Sequence, residues 1–250
     1  MSSTARKPSA RRSPSGSSTR SDAKTGDGPY LSSAISRVRP RFLPFALFVA
    51  FIAVQPLLEG RLDVRWLVAM RGVAAAILLA YFWRRYTELR PAVRVDPAEW
   101  LVAVAVGFAV FLAWITLDQG WASFSSGPGF VPLHPDGSID LPLVALRLFG
   151  MVLVVPVMEE LFWRSLVMRW IDKRDFLAAD PRAITLTALL VSSALFALEH
   201  SLWLAGLVAG LAYGWLYRRT GNLRVAIASH ALTNGLLGAW ILATHEWQYW

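Results

Sequence analysis

The chain has 250 residues, of which 55% are hydrophobic and 17% charged, and it carries a formal net charge of +8. A soluble domain of this length would carry more charge, and several runs of about 17–20 apolar residues can cross a hydrocarbon core of about 30 Å. These runs do not alternate, which excludes a membrane barrel. The absence of cysteine excludes disulfides, thiolate metal ligands and a cysteine nucleophile. The composition therefore predicts an all-α, polytopic integral membrane bundle.

Residues 1–41 are basic and rich in Ser, Gly and Pro. This composition predicts a disordered cytoplasmic tail, followed by a transmembrane domain at 42–250. The positive charge of the tail is explained by membrane topology, so no nucleic-acid partner is expected.

Seven apolar segments predict about seven transmembrane helices. Loops 84–99, 171–183 and 218–224 are rich in Arg, whereas loop 118–140 has no Lys or Arg. By the positive-inside rule, this alternation predicts a cytoplasmic N-terminus and an outer C-terminus. As a separate expectation, the membrane is a bacterial inner (plasma) membrane. Residues 184–217 could also form one span and a re-entrant piece. The predicted spans are 42–58, 66–83, 100–117, 142–170, 184–199, 201–217 and 225–243.

The fourth span contains two adjacent carboxylates, Glu159 and Glu160. One charge at the centre of a membrane helix costs about 2.5–3.5 kcal/mol, and neighbouring carboxylates also repel each other. Glu160 and Arg164 are four residues apart and can pair, while Glu159 points about 100° away and remains free. Pro156 lacks an N–H group, which predicts a kink that opens backbone polar groups toward a cavity.

Two further polar pairs lie in apolar segments, Phe196 with His200 and His230 with Asn234. Together with Glu159, two imidazoles and an amide can activate water and stabilise an oxyanion. Intramembrane Glu and His residues also serve proton or ion transport, or purely structural hydrogen bonds. The residues alone leave hydrolysis, transport and a structural role open.

Zinc is a further alternative, with Glu159, His200 and His230 as its three ligands. The chain has no HExxH motif. Water activation without a metal is therefore favoured, and no cofactor is expected.

A row of small residues, Gly206, Gly210 and Gly214, lies on one face of the sixth predicted span. Such a face permits close helix packing. We expect it to pack within the bundle; an oligomer contact is possible but not favoured.

The three polar clusters resemble the motifs EExxxR, FxxxH and HxxxN of the CAAX prenyl protease type 2 family, also called the CPBP or Abi family of intramembrane endopeptidases. The resemblance covers residues 142–240, the expected protease-like core. The stretch 156–165 is also similar to a bacterial subgroup associated with exosortase systems. The matching residues are Glu159, Glu160 and Arg164, Phe196 and His200, and His230 and Asn234.

The resemblance implies a glutamic endopeptidase, called a metalloendopeptidase in older usage, that cleaves a membrane-associated protein or peptide near its C-terminus. It implies that Glu159 and His200 activate water and that His230 and Asn234 stabilise the oxyanion. A proton-coupled transporter and a catalytically silent scaffold are the alternatives. The implied supporting residues are Glu160, Arg164 and Phe196.

The predicted topology conflicts with this activity at one point. It places Glu159 near the middle of the membrane but His200 at the outer end of its span. An enzyme needs the two residues within one water of each other, so a separation well over about 8 Å would count against hydrolysis.

Overall fold

The computed structural model describes residues 28–90, 94–124 and 129–250, with side chains from residue 35 onward. Within these ranges the main elements are seven helices, and the only β-structure is an isolated bridge between Leu133 and Ile139. The all-α prediction is confirmed. The helices are α1 Gly28–Leu58, α2 Val64–Tyr81, α3 Pro97–Thr116, α4 Leu141–Asp172, α5 Leu186–Leu198, α6 Trp203–Thr220 and α7 Leu223–Thr244.

Five of the described helices, α1 to α4 and α7, are long and apolar enough to cross a membrane. Helix α5 has only 13 residues, which gives it a length of about 20 Å against the roughly 30 Å of a hydrocarbon core. The predicted number of seven spans is therefore not confirmed.

Part of the tail predicted for residues 1–41 is helical. Helix α1 includes residues 28–41; residues 1–27 lie outside the described residues. Local composition missed this because the stabilising contacts are tertiary. Arg41, assigned to the tail, is buried against the rest of the bundle.

Helix starts are fixed by short polar side chains. The Asp140 carboxylate, for example, accepts from the Leu143 N–H at the start of α4, satisfying a backbone donor that has no partner within the helix. Helix α6 ends at Thr220 and is capped by Gly221, whose φ of 67° glycine adopts without strain. The other capping residues are Asp63, Asp96, Thr185 and Asn222.

Helices α5 and α6 form an antiparallel hairpin through the glycine row. Gly206 lies against Ala197 and His200, Gly210 against Ser193, and Gly214 against Leu189. The glycine face is therefore occupied within the chain, and an oligomer contact through it has no support. The turn between the two helices carries Glu199 and His200, which line the cavity beside α4.

Helix α4 lies at the centre of the bundle and is not regular. It contains two π-helical segments, Phe149–Val154 and Glu160–Met168, on either side of an α-helical segment Val155–Glu159. π-Helical turns inside α-helices are frequently found at functional sites. In α4 they bracket the stretch that carries the two adjacent glutamates.

One buried polar network joins α1, α4 and the turn Thr87–Leu89. The Arg41 guanidinium donates to both carboxylate oxygens of Glu88, at 2.7 Å and 2.5 Å, and the Ser165 hydroxyl of α4 donates to the same carboxylate. Burial of Glu88 opposes its ionisation, but the hydrogen bonds from Arg41 and Ser165 hold its pKa below the usual value. This network anchors the N-terminal helix to the bundle.

Candidate active site

The proline in α4 leaves a backbone carbonyl open, as the sequence predicts. In the π-helical segment the Val155 N–H donates to the Gly150 carbonyl, five residues earlier. In this register the next donor would be Pro156, which has no N–H, so the Met151 carbonyl needs another partner. The side-chain amide of Asn234 on α7 donates to it at 2.8 Å. This contact fixes the position of Asn234 relative to α4.

Glu160 forms the predicted ion pair with Arg164, at 3.2 Å between carboxylate and Nε. Its other oxygen lies 3.0 Å from Nδ1 of His230 on α7. Arg164 lies over the ring of Phe196, 4.3 Å from its centroid, and donates to the Gly210 carbonyl at 3.3 Å. Glu160 and Arg164 therefore hold α4, α5, α6 and α7 around one point.

Glu159 points away from this ion pair into an interior cavity. Its carboxylate lies 3.9 Å from Nε2 of His230. One carboxylate oxygen is buried and has no hydrogen-bond partner among the described residues. The asymmetry predicted from helical geometry is present: Glu160 is engaged in an ion pair and Glu159 faces the cavity.

His200 lies in the turn between α5 and α6. A ring nitrogen of His200 and a carboxylate oxygen of Glu159 belong to a cluster whose atoms all lie within 4.8 Å of one another. This is below the limit of about 8 Å set from the sequence, so the conflict over topology is resolved. His200 reaches Glu159 because α5 is short and ends before it could cross a membrane.

The tautomer of His200 follows from its backbone contact. Nδ1 lies 2.8 Å from the Phe196 carbonyl, which can only accept, so Nδ1 carries the proton. Nε2 of the neutral ring is then an acceptor. Phe196, predicted to lie near the site, packs 4.5 Å from the His200 ring and 6.4 Å from the His230 ring, between ring centroids.

Sequence reasoning missed Glu199 as a site residue. Its carboxylate belongs to the same 4.8 Å cluster as Glu159 and His200, and the indole of Trp163 donates to it at 3.0 Å. The signal was present, because an ionisable residue in an apolar segment marks a functional site. It was passed over because the FxxxH motif does not include it.

His230 is buried between two helices and held on both sides. Its ring stacks on Tyr213 of α6 at 4.7 Å between centroids, while Nδ1 contacts Glu160. With Glu160 ionised, Nδ1–H donates to it and Nε2 faces Glu159 and the cavity. The Glu160 contact therefore sets both the orientation and the protonation of the ring.

These side chains share one cavity of about 460 Å³, which is within the usual size of a ligand site. Catalytic candidates occupy one part of its wall. Two arginines, Arg71 of α2 and Arg147 of α4, also line it. The predicted site residues on the wall are Glu159, Phe196, His200, His230 and Asn234, joined by Glu199.

A metal could bind in this cavity, but through a different set from the predicted one. The described cluster with suitable spacing is Glu159, Glu199 and His200; His230, predicted as the third ligand, is not a member and is engaged by Glu160. Two carboxylates and an imidazole are acceptable zinc ligands. The contacts from Trp163 to Glu199 and from His200 to the Phe196 carbonyl would orient them.

Fold and site together define an integral membrane protein with a hydrolytic set of side chains in an interior cavity. Residues 141–236 match the family model described as type II CAAX prenyl endopeptidase Rce1-like. The match begins at the start of α4 and includes every predicted site residue. No curated protein and no solved structure matches the chain. This part of the chain is thus similar to CAAX-type membrane endopeptidases.

Proposed function

We propose that the protein is an intramembrane glutamic endopeptidase that hydrolyses a peptide bond near the C-terminus of a membrane-associated protein or peptide. The observation that carries this proposal is the convergence of Glu159, His200, His230 and Asn234 on one cavity from three separate parts of the fold. Residues 142–240 form the protease core. The proposed location is a bacterial plasma membrane with a cytoplasmic N-terminus.

Water activation is the role of Glu159 and His200. A water between them donates one hydrogen bond to the Glu159 carboxylate and another to Nε2 of His200, which is an acceptor in the tautomer set by Phe196. As the water oxygen bonds to the carbonyl carbon of the substrate, Glu159 takes its proton as general base. The proton then passes to the amide nitrogen as the C–N bond breaks.

Oxyanion stabilisation is the role of His230 and Asn234. One N–H of the Asn234 amide donates to the Met151 carbonyl, which leaves the other for the developing negative charge. Nε2 of His230 faces the same part of the cavity, and we assign it the second contact with the oxyanion. Preorganised donors of this kind contribute strongly to acyl transfer.

Zinc is the second candidate mechanism, favoured by the spacing of Glu159, Glu199 and His200. Bound zinc would supply Lewis acidity and an activated water. It would place Glu199 among the essential residues, whereas the metal-free mechanism gives that role to His230 and Asn234.

The test uses the full chain in its membrane, in matched cells that express the wild type or Glu159→Gln. The C-terminal peptides of the membrane proteome are compared by mass spectrometry. We expect a set of shortened C-termini with the wild type that is missing with Glu159→Gln, because removal of a general base costs about 10²–10⁴-fold in rate. Identical C-termini in both would indicate a silent scaffold.

Metal content separates the two mechanisms. Purified protein is analysed for zinc by mass spectrometry before and after chelation, and activity is measured on the substrate found above. We expect cleavage to persist after chelation. Loss of cleavage that zinc restores, with one zinc bound per chain and none in Glu199→Ala, would replace the glutamic mechanism with the metal one.

A further inference from the structure

Two arginines on the wall of the catalytic cavity have no assigned role. Arg71 lies in α2 and Arg147 in α4, both inside helices that can cross a membrane. Arg71 is the eighth residue of the 18-residue helix α2, and a long side chain near the end of a span can extend to the membrane surface. The structure shows it facing the interior instead.

Neither arginine is neutralised by the described part of the protein. The ion pairs formed there do not include Arg71 or Arg147, and the Nε atom of each is buried without a hydrogen-bond partner. Helices α2 and α4 pack backbone against backbone at Gly72 and Gly150, and both arginines line the same cavity. Intramembrane charges are normally paired, so two adjacent unpaired cations indicate a site for an anion.

Aromatic rings shape this site. The Arg71 guanidinium lies 4.8 Å from the centroid of Phe48, and that of Arg147 lies 5.9 Å from Phe130. A ring stabilises the face of a guanidinium but leaves the N–H donors at its edge unused. Those edges match the two oxygens of a carboxylate, which guanidinium binds with paired hydrogen bonds.

We propose that Arg71 and Arg147 bind the C-terminal carboxylate of the substrate. The enzyme then selects the bond to cleave by its distance from the substrate's C-terminus. This inference rests on the proposed function, because the anion must be part of a peptide that reaches Glu159 in the same cavity. A lipid headgroup could supply a similar charge, but it would not connect the arginines to the reacting groups.

The spacing along α4 sets the length of the fragment between the two sites. Arg147 and Glu159 are twelve residues apart, or at most about 18 Å along the helix axis, because the π-helical segment Phe149–Val154 between them rises less per residue than an α-helix. An extended peptide spans at most about 3.3–3.6 Å per residue. An extended fragment of up to about five residues therefore connects the carboxylate to the cleaved bond.

The test measures binding and cleavage separately. The probes are two matched pools of palmitoylated 12-residue peptides, randomised in the last six positions, with either a free carboxylate or a carboxamide end. Binding is measured by photo-crosslinking to full-length Glu159→Gln in phosphatidylcholine nanodiscs, so that turnover does not interfere. We expect at least about tenfold tighter binding of the carboxylate pool, as for a hydrogen-bonded charged group.

Substitutions identify the residues responsible. Adding either Arg147→Gln or Arg71→Gln to the Glu159→Gln parent should bring the ratio of carboxylate-pool to carboxamide-pool affinity close to one. Arg147→Lys should retain part of the preference for the carboxylate pool. Arg174→Gln is the matched control, since Arg174 is exposed and stacks on Trp170 outside the cavity; it should keep the full ratio. Thermal melts show which variants are folded. If one Gln variant fails to fold, the other still tests the proposal.

Three results would overturn the proposal. The first is equal binding of the two pools by the parent. The second is a carboxylate preference that both folded Gln variants retain. The third is a preference that disappears when phosphatidylglycerol replaces part of the phosphatidylcholine, which would assign the arginines to a lipid headgroup.

Cleavage by the wild type separates this proposal from the proposed function. We expect cuts at a constant number of residues from the C-terminus when the peptides are lengthened at their N-terminal side. Cuts at scattered distances, equal in both pools, would contradict the carboxylate site and leave the protease intact. Absence of any cut, with the binding preference present, would contradict the protease and leave the anion site.

Discussion

Two groups of buried polar side chains lie close together along α4 and differ in how completely they are hydrogen-bonded. In the first, Arg41 donates to Glu88 and to the carbonyls of Arg37 and Arg85. The Ser165 hydroxyl also donates to the Glu88 carboxylate. In the second, oxygen atoms of Glu159 and Glu160 and a nitrogen of Arg164 are buried without a hydrogen-bond partner among the described residues.

The difference distinguishes a network that supports the fold from one with a proposed catalytic role. A fully hydrogen-bonded buried network rigidifies the parts it joins, and the Arg41–Glu88 pair joins α1 to the bundle. An incompletely bonded group costs stability and persists where the free atoms have a use. Burial of charge alone therefore does not distinguish the two groups; the free hydrogen-bonding capacity at Glu159 supports its proposed catalytic role.

The largest effect on stability is expected from Glu88→Gln. Removing one partner of a buried ion pair leaves the other charge uncompensated and costs about 3–5 kcal/mol. The Arg41 guanidinium would be left in this state, with its side chain only 1% exposed. The unfolding free energy is measured by denaturant titration in detergent.

Glu159→Gln is the matched control for that measurement, because it also neutralises a buried glutamate. We expect it to change stability by less than about 1 kcal/mol, since no ion pair with an arginine is broken and an incompletely bonded charge is removed. Equal destabilisation by the two substitutions would mean that both networks are structural and would remove the distinction.

Asn234→Ala tests the oxyanion donor within the second group. Loss of one such donor lowers kcat by about 10²–10³-fold. The Met151 carbonyl also loses its side-chain partner, which should cost about 1–3 kcal/mol in stability. Turnover is measured per folded molecule on the substrate identified by C-terminal profiling.

Thr233→Val serves as its neighbour control. The Thr233 hydroxyl is buried; it donates to the Gly107 carbonyl and accepts from the Tyr213 hydroxyl, outside the proposed oxyanion site. This variant should lose stability but retain kcat. A similar fall in kcat for both variants would indicate that α7 has moved and would deny Asn234 a specific role.

The part of this site that depends on helical spacing was predictable from sequence. The pairing of Glu160 with Arg164 and the free direction of Glu159 follow from residues one turn apart on the same helix. Pro156 likewise indicated an open carbonyl on the cavity side. The family motifs supplied the distant partners His200, His230 and Asn234.

Contacts between distant segments were not predictable. The bond from Glu160 to His230 joins residues 70 positions apart, and it gives Glu160 a second partner that helical geometry could not reveal. The interior direction of Arg71 and the burial of Arg41 also depend on neighbouring helices. The predicted span 184–199 agrees with α5, Leu186–Leu198, to within two residues at each end; what composition did not reveal is that a helix this short does not cross a membrane by itself.

The smallest expected effect is the acid dependence of the structural network. Burial of Glu88 works against its charge, but the hydrogen bonds from Arg41 and Ser165 outweigh it, so its folded-state pKa is lowered. A carboxylate of this kind contributes stability above its unfolded pKa, about 4.3 for Glu. That contribution is lost as the pH falls through the lower folded-state value.

The wild type should therefore exceed Glu88→Gln in stability by a constant amount from pH 7 to about pH 5. The difference should shrink at lower pH as Glu88 takes up a proton. Unfolding midpoints of both proteins at a series of pH values measure it. A difference that stays constant down to pH 3 would show that Glu88 acts through shape and packing, and the contrast with the catalytic group would then rest on geometry rather than on charge.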